Sequence, residues 1–195
     1  MEQYIEILGT AVGLIYLWQE YRASIYLWIT SIIMPAIYLY VYYQAGLYAD
    51  FGINIYYLVI ALYGWLAWRY NFSLRGKRKE SKELSISHIR QGVIIRLALL
   101  FLATWAIISY ILIHYTNSTV PFTDAFTTAL SIVGMYMLAR KYIEQWWVWL
   151  VVDITSCALY IYKELYFTAA LYALYAIIAI FGYRKWKQLM QENQP

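Results

Sequence analysis

The sequence predicts an all-α polytopic membrane protein of seven helices, and three observations carry that prediction. The 195-residue chain is 63% hydrophobic and 20% aromatic with only 13% charged residues, too few to cover a soluble globule of this size. Seven apolar runs are each long enough, at about 17 to 25 residues, to cross a bilayer. The basic residues fall almost wholly on one side of the alternation those runs define.

The runs lie near 4–21, 23–45, 50–70, 93–114, 121–139, 146–162 and 165–186. The first carries Glu6 but no basic leader or cleavage site, so it reads as a retained span. Pro35 removes a backbone donor from the second, predicting a kink or hinge. The third holds Asn54, the only amide in its apolar stretch, three residues before Tyr57. The fourth carries Arg96 near its cytoplasmic beginning, where the long stem lets the charge reach the interface. The fifth, TDAFTTALSIVGMYMLA, is rich in Thr and small residues that suit close helix packing. The sixth, opening EQWWVWLVVD, carries three tryptophans and then Asp153, and the seventh contains Gly182 and Trp186.

With the N-terminus outside, 14 of the 15 Lys and Arg residues lie on the inner side and only Lys163 lies outside. Positively charged loops resist translocation, which predicts a multi-pass membrane protein with its N-terminus outside and its C-terminus in the cytoplasm. The net charge of +4 follows from this topology, so the run RGKRKESK reads as a solvated cytoplasmic loop and not a nucleic-acid site. Cys157 stands alone, and His88 and His114 are too far apart to suggest a metal site. No phosphate-binding loop, HExxH motif or Ser/His/Asp set is present. No cofactor, enzymatic activity or nucleotide-driven pumping is therefore expected.

The chain also repeats itself. A slide of 121 sets Gly13 on Gly134 and Trp28 on Trp149; a slide of 118 sets Tyr57 on Tyr175, Gly64 on Gly182 and Trp68 on Trp186. The prediction is one transporter domain over 1–195, built as a 3+1+3 arrangement. Repeat one spans 4–70, a linker helix 93–114 and repeat two 121–186. An odd unit followed by one linking helix makes the repeats parallel.

Asp153 is the residue hardest to explain by packing. On a helix turning about 100° per residue, Trp146, Trp149 and Asp153 share an arc of about 60°, while Trp147 lies off it. At about 1.5 Å per residue the carboxyl sits roughly 10 Å past Trp146, too deep for a surface charge. An ionised group there costs about 2.5–3.5 kcal/mol and faces the bundle interior or a wet cavity. Two readings stay open. In one, a bound cation partners Asp153, and the faces of Trp146 and Trp149 add roughly 0.5–2 kcal/mol each. In the other, the carboxyl bonds Tyr and Thr hydroxyls or is neutral, and the tryptophans are interfacial anchors. Asn54 and Tyr57 form a second polar pair, for which a helix–helix hydrogen bond and a ligand contact fit equally.

The stretches YIEILGTAVGLIYLW, GLYADFGINIYYLVIALYGWLAW, VPFTDAFTTALSIVGMYMLARKYIEQWWVWLVVD and LYFTAALYALYAIIAIFGYRKW together resemble the Pnu-type vitamin transporters. The most specific segment runs from Arg140 to Asp153. The resemblance implies a full-length relative of the SWEET sugar-transporter fold, assembled as a homotrimer in the lipid bilayer. It also implies facilitated diffusion of an unphosphorylated vitamin that a cytoplasmic kinase traps. Within the family, the nicotinamide riboside branch usually has asparagine at the place of Asp153 and commonly glutamine at that of Asn54. The thiamine branch accepts a thiazolium cation, which an aspartate suits. The expectation is thus a thiamine facilitator using Trp146, Trp149, Asp153, Asn54 and Tyr57, with nicotinamide riboside as the alternative.

The topology is directly testable. A cysteine replacing Asn117 should react with an impermeant thiol reagent added from the periplasmic side, whereas one replacing Lys79 should not; the reverse labelling would invert the assigned orientation.

Overall fold

The computed structural model describes residues 2–44, 48–71 and 84–192. Seven helices occur among them: α1 (Glu2–Tyr21), α2 (Leu27–Gln44), α3 (Tyr48–Tyr70), α4 (Gln91–Tyr115), α5 (Pro121–Ala139), α6 (Gln145–Tyr162) and α7 (Tyr166–Glu192). Each falls on one of the expected runs. The RGKRKESK loop, with Lys79, lies outside the described residues. By length and composition α4, α5 and α7 can cross a membrane. The Tyr and Trp side chains that crowd the other helices lower their apolarity but suit membrane interfaces. Along α4, Ile95, Leu99, Leu102 and Ile107 are exposed, as on a helix bathed in hydrocarbon.

The chain forms two compact units, residues 1–85 and 86–195. In the first, α2 packs on α3 by setting the Trp28 ring where a Cβ on Gly64 would have to be. That ring meets Trp68 edge to face, with centroids 5.5 Å apart and planes at 88°. In the second, α6 packs on α7 in the same way. A Cβ on Gly182 would lie 2.5 Å from Cη2 of Trp146, and Trp146 meets Trp186 edge to face at 5.8 Å and 88°. Glycine at these places lets a helix backbone approach an indole, a contact that lipid cannot replace.

The turns before α2 and α6 are also built alike. Each helix that ends there closes with one residue in the left-handed region, Ala23 (φ 50) and Lys141 (φ 52). Ala23 N–H donates to the Glu20 carbonyl and Ser24 N–H to that of Gln19; 118 residues on, Lys141 N–H donates to Leu138 and Tyr142 N–H to Met137. These are the paired bonds of a helix-ending Schellman turn. The next helices start with matching bonds, Trp28 N–H to Ile25 and Trp146 N–H to Ile143. The structural partner of Trp28 is therefore Trp146, and a constant slide of 118 replaces the 121 read from sequence for this stretch. Ala23–Tyr26 belong to the turn, which is why α2 starts later than its apolar run.

Within the second unit, Leu97 of α4 packs with Val133 and Met137 of α5. Phe126 meets Phe101 and Trp105 edge to face at 5.5 and 5.9 Å. The Thr127, Thr128 and Ser131 hydroxyls all donate to carbonyls of their own helix, so these hydroxyls are satisfied locally. The segment entering α4 is tied to the α5–α6 turn. Ser87 N–H donates to the Lys141 carbonyl, Ile143 N–H donates to the Ser87 carbonyl, and the Glu144 carboxylate takes Ile89 N–H at 3.0 Å and meets His88 Nδ1 at 2.7 Å.

Packing at Gly182 decides the sign of a common substitution. Glycine to alanine inside a helix ordinarily gains up to about 1 kcal/mol. Here the buried Trp146 ring cannot withdraw, and overpacking costs roughly 1–3 kcal/mol. Gly182→Ala should lower the thermal midpoint in detergent, while Gly92→Ala, whose new methyl meets nothing within 4 Å, should leave it unchanged or raise it.

Candidate functional site

α6 carries the densest set of buried polar groups in the second unit: Gln145, Asp153 and Ser156. Spacings of three, four and seven residues place Gln145, Trp149, Val152, Asp153 and Ser156 along one face. Trp147, Val151 and Ile154 point away and are exposed. The helix is thus amphipathic in reverse, apolar toward lipid and polar toward protein, as expected where a membrane helix lines a path.

Asp153 is 7% exposed, and among the described residues no basic side chain pairs with it. Arg96 is not its partner: its Nε donates to the Gly92 carbonyl at 2.9 Å at the exposed start of α4. Facing Asp153 are phenols from α7, for its charge acts on both Tyr172 and Tyr175. Tyr172 hydrogen-bonds Tyr160 of α6, and their rings stack with centroids 5.2 Å apart and planes 23° apart. Tyr175 meets Tyr172 edge to face at 5.7 Å. A buried acidic group within electrostatic reach of aromatic side chains is suited to a planar organic cation, which gains both ion pairing and cation–π attraction.

The three tryptophans divide their roles. Trp149 is partly buried, with its ring edge 3.2 Å from where a Cβ on Gly134 would lie, so the absent side chain at Gly134 is what admits it between α5 and α6. Trp146 is 2% exposed and packed against Gly182 and Trp186; its ring is a helix–helix contact, and what it can offer a ligand is its indole N–H. Trp147 is 49% exposed beside Tyr183, with centroids 4.9 Å apart, as expected for an anchor off the arc.

In the first unit, Asn54 is partly buried and engaged by a neighbour. Tyr57 is partly buried with its ring 5.7 Å from Tyr56, and it lies within electrostatic reach of Tyr16. The Tyr16 hydroxyl hydrogen-bonds Ser31 and Glu20. Under the 118-residue correspondence, Asn54 and Tyr57 occupy the places of Tyr172 and Tyr175. Tyr160 and Tyr172 were missed from sequence because 23 tyrosines give no contrast. The repeat was the signal that could have found Tyr172, by way of Asn54.

Comparison with known proteins agrees with a transporter of this kind. A family model described as nicotinamide mononucleotide transporter matches residues 3–188. The nicotinamide riboside transporter PnuC of Escherichia coli is 24% identical over 209 residues, covering 97% of this chain and 87% of that protein. The riboflavin/roseoflavin transporter RibM of Streptomyces davaonensis is 26% identical over 181 residues, covering 93% of this chain and 83% of that protein. The crystal structure of the vitamin B3 transporter PnuC matches with a TM-score of 0.67 at 22% identity, covering 95% of this chain and 81% of that one, a likeness of fold. Matched by the family model over nearly its whole length, the chain belongs to the nicotinamide mononucleotide transporter family of membrane proteins.

Proposed function

We propose that this protein is a facilitator that moves an unphosphorylated, cationic heteroaromatic vitamin across the inner membrane, with nicotinamide riboside as its first substrate. The observation that carries the reading is Asp153, buried without a basic partner among the described residues and within electrostatic reach of Tyr172 and Tyr175. The relatives supply the vitamin class, and likeness to the nicotinamide riboside transporter of Escherichia coli favours that vitamin over the thiamine expected from sequence. Riboflavin, named for the Streptomyces relative, is neutral and gains nothing from a carboxylate. Thiamine remains the second reading, on one observation: the acidic side chain stands where the resemblance implies asparagine in the nicotinamide riboside branch.

In this reading Asp153 pairs with the ligand's positive ring, Trp149 stacks on it and Trp146 lends its indole N–H. Asn54 and Tyr57 are proposed as contacts contributed by the first unit. All seven helices cross the bilayer, with the N-terminus outside, as one transporter domain. The matching turns and Trp–Gly contacts support two parallel three-helix repeats joined by α4. Assembly as a homotrimer and trapping by a cytoplasmic kinase complete the proposal. A neutral product of transport is not required, because a kinase that adds phosphate removes the substrate from the equilibrium by changing its charge.

Titration calorimetry of wild type and Asp153→Asn with nicotinamide riboside, thiamine and riboflavin separates these readings. Losing a charged interaction of about 1.5–3 kcal/mol weakens a cationic ligand roughly ten- to more than hundredfold. Binding of thiamine alone would select the second reading, and binding of riboflavin alone would reject a cation site. Unchanged affinity in a folded Asp153→Asn protein would make the carboxyl structural.

Transport itself should be downhill. Proteoliposomes loaded with unlabelled vitamin should take up label by exchange with no ion gradient, and accumulation above equilibrium driven by a proton or sodium gradient would contradict simple facilitation.

A further inference from the structure

Among the described residues, six buried side-chain nitrogen and oxygen atoms lack a hydrogen-bond partner, and four of them lie in five consecutive residues at the start of α6. They are both amide atoms of Gln145 and the indole nitrogens of Trp146 and Trp149. Gln145 is 0% exposed, so water at the protein surface does not satisfy it. Polar groups buried in this way are costly and are retained where something else uses them.

The fold does not ask for the amide. Under the correspondence fixed by the two turns, Gln145 takes the place of Leu27, which is equally buried at 0% and begins α2 with the same backbone bond. A leucine therefore fits this position of the three-helix unit. Trp146, by contrast, has tryptophan as its partner in both units, as packing on glycine demands. The amide is what distinguishes the second unit at this point. It lies eight residues before Asp153, roughly 12 Å along the helix, on the same face and toward the Arg140–Lys141 turn.

We infer that Gln145 is a second substrate-contacting residue, a polar station on the α6 face between the Asp153 site and the turn at Arg140 and Lys141. It would take a neutral part of the ligand that both donates and accepts hydrogen bonds: a carboxamide, an aminopyrimidine or a sugar hydroxyl. An amide suits this role because it presents one acceptor and two donors without a charge that would hold a cation and stop its passage. This rests on the transport reading and adds a residue to it.

The test is Gln145→Leu, the residue found at the matching place in the first unit, with Gln145→Met as a second apolar variant of similar volume. Without ligand, the thermal midpoint of at least one variant should equal or exceed that of wild type, since an unsatisfied amide has been removed. In proteoliposomes its exchange rate per folded protein should fall about tenfold, the worth of one or two hydrogen bonds, and Gln145→Asn should recover part of the loss. Wild-type exchange rates per folded protein in both apolar variants would overturn the inference while leaving the transport reading intact. Lower midpoints in both would overturn it too, by giving the amide a structural role. A wild type that exchanges none of the three vitamins would reject the transport reading, and this inference with it.

Discussion

The structure depends on one kind of contact, an indole set against the bare backbone of a neighbouring helix. In lipid no hydrophobic gain draws helices together, so their association comes from close packing and from hydrogen bonds. Trp28 over Gly64 and Trp146 over Gly182 supply the first of these, each locked by a second tryptophan one turn along. A ring with so many contact atoms fixes rotation and height together, because sliding either helix would leave a void or force a clash. The residues around it on α6 inherit that fixed rotation. Asp153 faces Tyr172 and Tyr175 because Trp146, seven residues earlier on nearly the same face, is held against α7.

Given that contact, what differs between the two units is informative. At the place of Trp149 the first unit has Ser31, and at the place of Gly134 it has Tyr16. In one unit a large residue on the first helix meets a small one on the second; in the other the sizes are exchanged. Tyr16 hydrogen-bonds Ser31, whereas Trp149 fills the space that Gly134 leaves. The exchange keeps volume, which is what a packed interior tolerates best. At the place of Asp153 the first unit has Pro35, which is buried. Proline and aspartate share no packing role, so the carboxyl is not a requirement of the shared helix arrangement.

Much of this was legible in the sequence, and the parts that were not have physical reasons. The seven helices were visible because apolar run length is set by bilayer thickness. The matching Trp–Gly contacts were visible through Gly64, Trp68, Gly182 and Trp186, since glycine and tryptophan are the residues that this contact cannot exchange. The start of α2 was not visible: the left-handed turn residue is Ala23, and alanine carries none of the signal a glycine would. α7 runs on to Glu192 because charged residues continue a helix that has left the apolar run. Helical periodicity placed Trp146 beside Asp153 correctly in angle, but angle alone does not distinguish a ring facing a path from one facing α7. The glycine at 182 makes that distinction, and it lies 36 residues away.

A facilitator needs a site that holds its cargo and then releases it, and the proposed site at Asp153 is suited to both demands. A lysine or arginine beside the carboxyl would stabilise the empty site, and a cationic ligand would have to displace it. With no such partner among the described residues, the charge of a cationic ligand would offset the cost of burying the carboxyl, and affinity would arise from relief of that cost. Aromatic side chains near a cation would add attraction that is broad in direction, because a ring face accepts a cation over a range of positions. Tight directional hydrogen bonds on every side would instead fix the ligand in one pose and slow its exit. In the proposed reading Asp153 supplies charge recognition, and the phenols and Trp149 supply a surface along which a planar cation can turn and leave.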